Sequence, residues 1–207
     1  MTRVRAVVFD IGNVLLHWQP EAFYDRMFGP VARKRLFAEV DLEGMNLSID
    51  AGLPFRATVQ ETATRHPAWA EAILWWHDNW HQMATPTIPH AVRLLRRLRS
   101  RGVPVFALSN FGTDSFALAQ TLYPFLTEFD RTYISGHLRL LKPDPAIYAV
   151  VEGDCGLPPE TLLFTDDKPA NIAAALARGW QGQLFEGPLG LADRLVAEGL
   201  LQREDVA

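Results

Sequence analysis

Apolar residues recur along this chain in two rhythms. Short runs at Val4 to Phe9, Val103 to Leu108 and Leu162 to Thr165 have the length and composition of buried strands. Each closes on polar residues: Asp10, Ser109-Asn110 and Asp166-Asp167 respectively. At His90 to Arg101, Asp114 to Tyr123, Pro145 to Val151 and Pro169 to Arg178 the apolar positions return every three or four residues, the period of a helix with one buried face. Arg131 to Ser135 and Gln181 to Phe185 are two further strand candidates. This alternation predicts an α/β fold, a Rossmann-like parallel sheet flanked by helices. Ligands of open parallel sheets sit beyond the carboxyl ends of the strands, so the three polar endings are expected to meet in one crevice.

The alternation breaks between His17 and Pro86, where the pattern is helical throughout and no strand is indicated. A helical cap at residues 17–86, inserted into a core of residues 1–16 and 87–207, accounts for the break. Trp18, Phe23, Tyr24, Phe28, Phe55, Trp69, Trp75, Trp76 and Trp80 give that segment enough aromatic surface for a small core of its own or a lid.

Composition narrows the partners. A length of 207 residues with 48% apolar residues supports a globular core, and a net charge of −4 gives no general attraction for polyanions. The one arginine-rich stretch, Arg93 to Arg101, interleaves with Val92, Leu94, Leu95 and Leu98 and reads as the solvated face of a helix, so nucleic acid is not the expected partner. No apolar stretch reaches the ~20 residues of a membrane span. Cys155 is the lone cysteine, and Met1-Thr2-Arg3 leads into Asp10 without a signal-peptide core, so the expected location is cytoplasmic. His77 and His81 have the i, i+4 spacing of a zinc pair, but Asp78 stands where such sites carry Glu and no third ligand is indicated.

Taken in order, FDIGNVLL with Asp10, ALSN with Ser109 and Asn110, LLKPDPAIY with Lys142, and FTDDKPANI with Asp166 and Asp167 resemble the four motifs of the haloacid dehalogenase superfamily. The position of the insertion is similar to that of members with a helical cap of the first type, and the Asp-x-Gly-Asn wording of the first motif to a subgroup that includes sugar-phosphate phosphatases. The resemblance implies a magnesium-dependent phosphatase acting on a small phosphorylated metabolite through an aspartyl-phosphate.

Elementary chemistry fits that implication. A carboxylate at a strand end can attack phosphorus and divide one difficult step into two, which makes Asp10 the candidate nucleophile. The attack brings anion to anion, so it needs a cation and a lysine; Asp10, Asp166, Asp167 and the Gly12 carbonyl are candidate ligands for Mg2+, and Lys142 supplies positive charge. Ser109 and Asn110, at the start of a helix, are candidate phosphate donors, and Asn171 can hold either the acidic pair or the substrate.

One position departs from the family pattern. Phosphatases of the superfamily usually carry a second Asp two residues after the nucleophile as general acid and base, and here that residue is Gly12. A positioned proton donor is worth ~10²–10⁴-fold, so its loss predicts rates that fall steeply as the leaving group becomes more basic. His17 is the replacement suggested by its place near the strand end, although a hinge histidine is the plainer reading; Asn13 cannot exchange a proton at neutral pH. Two other readings stay open. One is 2-haloacid dehalogenation by Asp10, disfavoured by the Asp166-Asp167 pair because the resembling dehalogenases have Ser-Asn there. The other is a weakly active or non-catalytic phosphate-binding member.

Overall fold

A computed structural model describes residues 3–206. Five parallel strands lie in the order β3-β2-β1-β4-β5, with β1 at Ala6–Phe9, β2 at Val105–Ser109, β3 at Arg131–Ile134, β4 at Leu162–Asp166 and β5 at Gln181–Leu184. The three central strands are buried along their whole length, which is why their sequences are continuous apolar runs and not alternating ones. Val8 stands in register with Phe106 on one side and Phe164 on the other, so the polar residues that follow each run emerge at one edge of the sheet.

The helices begin with six that follow β1 and form the insertion: α1 (Pro20–Phe28), α2 (Pro30–Glu39), α3 (Leu42–Asp50), α4 (Phe55–Arg65), α5 (Ala70–Asp78) and α6 (Trp80–Met83). The others flank the sheet: α7 (Pro89–Ser100), α8 (Thr113–Leu122), the single turn α9 (Ser135–Leu138), α10 (Pro145–Cys155), α11 (Pro169–Ala177) and α12 (Pro188–Ala197). Ser135 therefore opens α9 and is not the last residue of β3. Proline at the first or second position of many of these helices has its φ already set and no N–H left unpaired.

Alternate residues of each strand face opposite sides, and the core follows that division. Ala6, Val8, Phe106, Leu108 and Phe164 pack with Ile147, Tyr148 and Ile172 from α10 and α11. Val7, Phe9, Val105 and Leu163 pack with α7 and α12 and, through Ile11, Val14, Leu15 and Leu16, run without a break into the aromatic interior of the insertion. The expected separate core of the cap is thus one end of a shared core. The two crossings between core and insertion are also joined by backbone, since the His17 N–H donates to the Pro86 carbonyl at 2.9 Å and the Ile88 N–H to that of Leu15 at 2.8 Å.

The arginine-rich face of α7 is matched by acids: Arg96 pairs with Glu128 at 2.6 Å and Arg101 with Asp205 at 2.8 Å. His77 pairs with Asp78 at 2.8 Å and lies against Phe55. No helix among the described residues is long and apolar enough to cross a membrane.

Gly136 in α9 is the tightest seam behind the site. A Cβ there would fall 2.6 Å from the Thr113 backbone nitrogen and 2.9 Å from the Phe111 carbonyl oxygen. Backbone cannot yield as a flexible side chain does, so Gly136→Ala is expected to cost about 1–3 kcal/mol in urea unfolding. An unchanged midpoint would show that the loop after β2 is not packed so closely.

Candidate functional site

β1 ends where its ladder continues by one bond, from the Asp10 N–H to the Thr165 carbonyl at 2.9 Å, and this fixes Asp10 at the sheet edge. Its Oδ1 accepts from the Ile11 N–H at 2.7 Å and the Ser109 hydroxyl at 2.7 Å, and lies 3.0 Å from Lys142 Nζ. All three contacts fall on Oδ1. Lys142 is buried, reaches Asp166 Oδ2 at 2.6 Å and sits over the Phe164 ring.

Asp166 at the end of β4 has no exposure. Its Oδ1 accepts from the Lys168 N–H at 2.8 Å and from Asn171 Nδ2 at 3.0 Å, and its Oδ2 from Lys142 and, at 2.9 Å, from the same Asn171 nitrogen. Asn171, in the first turn of α11, thus holds Asp166 alone of the acidic pair. Asp167 is less enclosed, with its Oδ2 accepting from Asn13 Nδ2 at 3.1 Å. Asn13, in a left-handed turn at φ 56°, accepts the Trp18 N–H on its Oδ1 at 3.0 Å and so orients Asp167 from the mouth of the insertion.

Asn110 is engaged with Lys142 in both directions. Its Nδ2 donates to the Lys142 carbonyl at 3.0 Å, and its Oδ1 accepts the Lys142 N–H at 2.8 Å. This pair ties the loop that carries the lysine to the end of β2, so the side chain of Asn110 positions the backbone of Lys142.

Asp10, Asp166 and Asp167 each offer an oxygen, all within 4.8 Å of one another. Asp10 and Asp166 share Lys142, whereas Asp167 is paired with the neutral Asn13. Burial pushes the Asp10 carboxyl up to about 6, Lys142 opposes the rise, and the charge of Asp166 adds to it. The surrounding cavity of about 670 Å³ is lined by six carboxylic residues, Asp10, Glu21, Asp41, Glu43, Asp50 and Asp167, against two lysines, Lys142 and Lys168. Such a site is short of positive charge, and a hard divalent cation with oxygen ligands fits it.

Gly12, Ser109, Asn110 and Asn171 line the same cavity, while the insertion contributes Phe37, Asn46, Asp50, Trp76 and Trp80. Trp76 and Trp80 thus belong to the core and also border the cavity. His17 is not among the lining residues. Asp50 and Lys168 escaped the sequence reading: Asp50 belongs to none of the four motifs, and Lys168 follows the acidic pair as an ordinary loop residue.

A profile of haloacid dehalogenase-like hydrolases matches residues 4–179. Curated relatives include drimenol cyclase drtB of Aspergillus calidoustus, 24% identical over 88% of this chain and 34% of its own length. Flavin mononucleotide hydrolase 1 of Arabidopsis thaliana is 39% identical over 28% of this chain and 24% of its own. The (S)-2-haloacid dehalogenase of Pseudomonas fluorescens is 31% identical over 50% and 46%. The chain therefore spans less than half the length of each of these relatives. Among solved structures, a HAD-like family hydrolase of Porphyromonas gingivalis superposes with a TM-score of 0.70 at 22% identity, covering 94% of this chain and 98% of that one. The HAD family enzyme bt-2542 of Bacteroides thetaiotaomicron, in complex with magnesium and inorganic phosphate, superposes at 0.65 with 22% identity, over 87% and 93%. With a profile match from the first strand to the end of α11, and a carboxylate cluster at the carboxyl edge of the sheet, this chain belongs to the haloacid dehalogenase-like hydrolase family.

Proposed function

We propose that the chain is a magnesium-dependent phosphatase of the type with a helical first-type cap, its core at 1–16 and 87–207 and its cap at 17–86. The observation that carries this reading is the excess of carboxylate over lysine around Asp10. A dianionic phosphate cannot approach that cluster without a cation, whereas a dehalogenase site works without a metal and has no use for the surplus charge. The magnesium and phosphate held by bt-2542 and the hydrolase relative acting on flavin mononucleotide support the same reading.

In this reading Asp10, Asp166, Asp167 and the Gly12 carbonyl would hold Mg2+. When bound, the ion supplies positive charge to the phosphoryl oxygens and to Asp10. Lys142 draws charge toward a phosphoryl oxygen, the Ser109 hydroxyl turns from Asp10 to donate to another, and the backbone N–H groups after Asn110 complete the cradle. Asn171 keeps Asp166 and Lys142 in line. Asp10 attacks phosphorus, giving an aspartyl-phosphate that water hydrolyses. For the organic group, half-buried Trp18 and Phe37 offer an apolar wall, and Asn46, Asp41 and Glu43 offer partners for hydroxyls. This lining suits a sugar phosphate, whose C–H face stacks on aromatic rings while its hydroxyls bond to acids and amides.

The rival is 2-haloacid dehalogenation, favoured by the Pseudomonas fluorescens relative. Steady-state assays on a phosphate panel and on 2-chloropropionate, each with magnesium and with excess chelator, separate the two. The expected result is phosphate release that requires magnesium, with no halide release. Calorimetry on chelator-treated protein should show magnesium binding that Asp167→Ala weakens by at least ~10-fold. Full phosphatase activity in chelator, or halide release without metal, overturns the reading.

A further inference from the structure

We propose that Asp50, the last residue of α3 in the insertion, donates the proton to the leaving oxygen and then accepts one from water, the part for which Gly12 carries no side chain. The proposal rests on the phosphatase reading. It begins from position: Asp50 lines the cavity that also contains Asp10, Lys142 and Asp167, although it comes from a different part of the fold.

The carboxyl group is fixed to both layers. Asn46 Nδ2, one turn earlier on α3, donates to its Oδ2 at 2.9 Å, and the N–H of Gly112, just ahead of α8, donates to it from the core. The Asp50 carbonyl accepts from the Ser135 hydroxyl at 2.6 Å. Two residues on, Gly52 passes so close to the core that a Cβ would lie 2.8 Å from the Gly136 carbonyl oxygen. The end of α3 is therefore fastened to the loops after β2 and β3, and the acid is held at a set distance from Asp10. Two donors occupy part of the carboxyl group, which leaves capacity for a contact with substrate.

The surroundings poise it for transfer. Burial raises the Asp50 carboxyl from 3.8 to about 7; the Gly112 N–H and Lys168 oppose the rise, and Asp10 adds to it. Lys142, Asp167, Asp41 and Glu43 share the cavity. Near neutral pH both protonation states are populated, as a group that first gives and then takes a proton requires. Asp41, the neighbouring acid of the same helix, is engaged differently, since its side chain accepts the Gly44 N–H at the start of α3.

The steps balance as follows. Asp10 attacks phosphorus, the bond from phosphorus to the organic oxygen breaks, and that oxygen takes the proton of Asp50, leaving a neutral alcohol and the aspartyl-phosphate. Water then attacks phosphorus and gives its proton to the Asp50 carboxylate. The bond between phosphorus and Asp10 breaks, releasing inorganic phosphate and the Asp10 carboxylate.

The test measures kcat and kcat/KM for wild type and Asp50→Asn on aryl and alkyl phosphates of graded leaving-group pKa, with saturating magnesium. Wild type is expected to show a shallow dependence on leaving-group pKa. Asp50→Asn should lower kcat toward a common value on every substrate, because hydrolysis of the aspartyl-phosphate loses its base. It should lose ~10²–10⁴-fold in kcat/KM on alkyl phosphates and keep nearly the full kcat/KM on 2,4-dinitrophenyl phosphate, whose leaving group needs no proton. Retention of that kcat/KM also shows that the variant is folded. The fall of the alkyl-phosphate kcat at alkaline pH should disappear in the variant. A uniform loss of kcat/KM on every substrate would mean that Asp50 only shapes the cavity, and an unchanged slope of kcat/KM would overturn its assignment as donor while leaving the phosphatase reading intact. Absence of magnesium-dependent hydrolysis in wild type, even on the dinitrophenyl ester, would remove both.

Discussion

Lys142→Met is expected to destabilise the protein by about 3–5 kcal/mol in chelator-treated samples, because it leaves Asp10 and Asp166 buried together without their cation. The lysine lies 3.0 Å from one and 2.6 Å from the other and is itself almost fully enclosed, so no solvent replaces it. Methionine keeps most of the side-chain volume against Phe164, which confines the loss to charge. Turnover should fall by roughly 10²–10³-fold as well, since a preorganised positive group near the phosphoryl oxygens is lost. Lys142→Met combined with Asp166→Asn removes the second charge of the pair and should recover most of the stability but none of the turnover. Urea midpoints in chelator, read beside magnesium-dependent rates, check both parts. A single variant as stable as wild type would show that Asp10 and Asp166 are not both ionised around Lys142.

The central strands were legible because β1, β2 and β4 are covered on both faces, and that condition writes a continuous apolar run ending at the site. The edge strands carry weaker signals: β5, Gln181–Leu184, has no fully buried residue, and β3 is exposed over its first half. Helix α12 lay beyond the last element expected from the sequence, although Pro188 and the spacing of Leu191 and Leu195 mark it. Asp10, Ser109 and Asp166 sit at strand ends, where topology alone brings them together, and Lys142 reaches them from the loop between α9 and α10.

Asp50 could not be found that way. In the sequence it is one of two acids in α3, with Glu43, and by itself reads as a solvated residue at the end of a short helix. The contacts that fix it come from Gly112 and Ser135, and the latter is 85 residues away. The steep leaving-group dependence inferred from Gly12 holds only if no acid arrives from elsewhere in the chain. The cavity supplies one from the insertion, and the expected slope of the wild type changes accordingly. Asn110 shows the same limit, since a motif fixes where its side chain begins but not that both of its polar atoms close on Lys142.

Asp10→Asn is expected to abolish turnover, by roughly 10⁴–10⁶-fold, and at the same time to stabilise the fold near neutral pH. The first effect follows from chemistry: an amide oxygen is a far weaker nucleophile than a carboxylate, and no neighbouring group can take over from the strand end. The second follows from electrostatics. The Asp10 carboxyl titrates at about 6 in the folded protein against 3.8 ordinarily, so the native state binds its proton more tightly than the unfolded chain does. This group therefore favours folding below about pH 4 and loses that contribution as pH rises through about 6. The shift corresponds to roughly 3 kcal/mol between protonation states, an upper bound on what its ionisation costs at pH 7 without magnesium. Asparagine is never ionised and can still accept from the Ile11 N–H and the Ser109 hydroxyl through its oxygen. In chelator the variant should thus gain up to about 3 kcal/mol over wild type at pH 7 and little at pH 4. Saturating magnesium should shrink the gap, because the cation stabilises the ionised Asp10 of the wild type and not the amide. Urea unfolding at both pH values, with and without magnesium, measures all of this. An Asp10→Asn variant that is less stable than wild type at pH 7 in chelator would mean that Lys142 outweighs burial and Asp166 at the nucleophile.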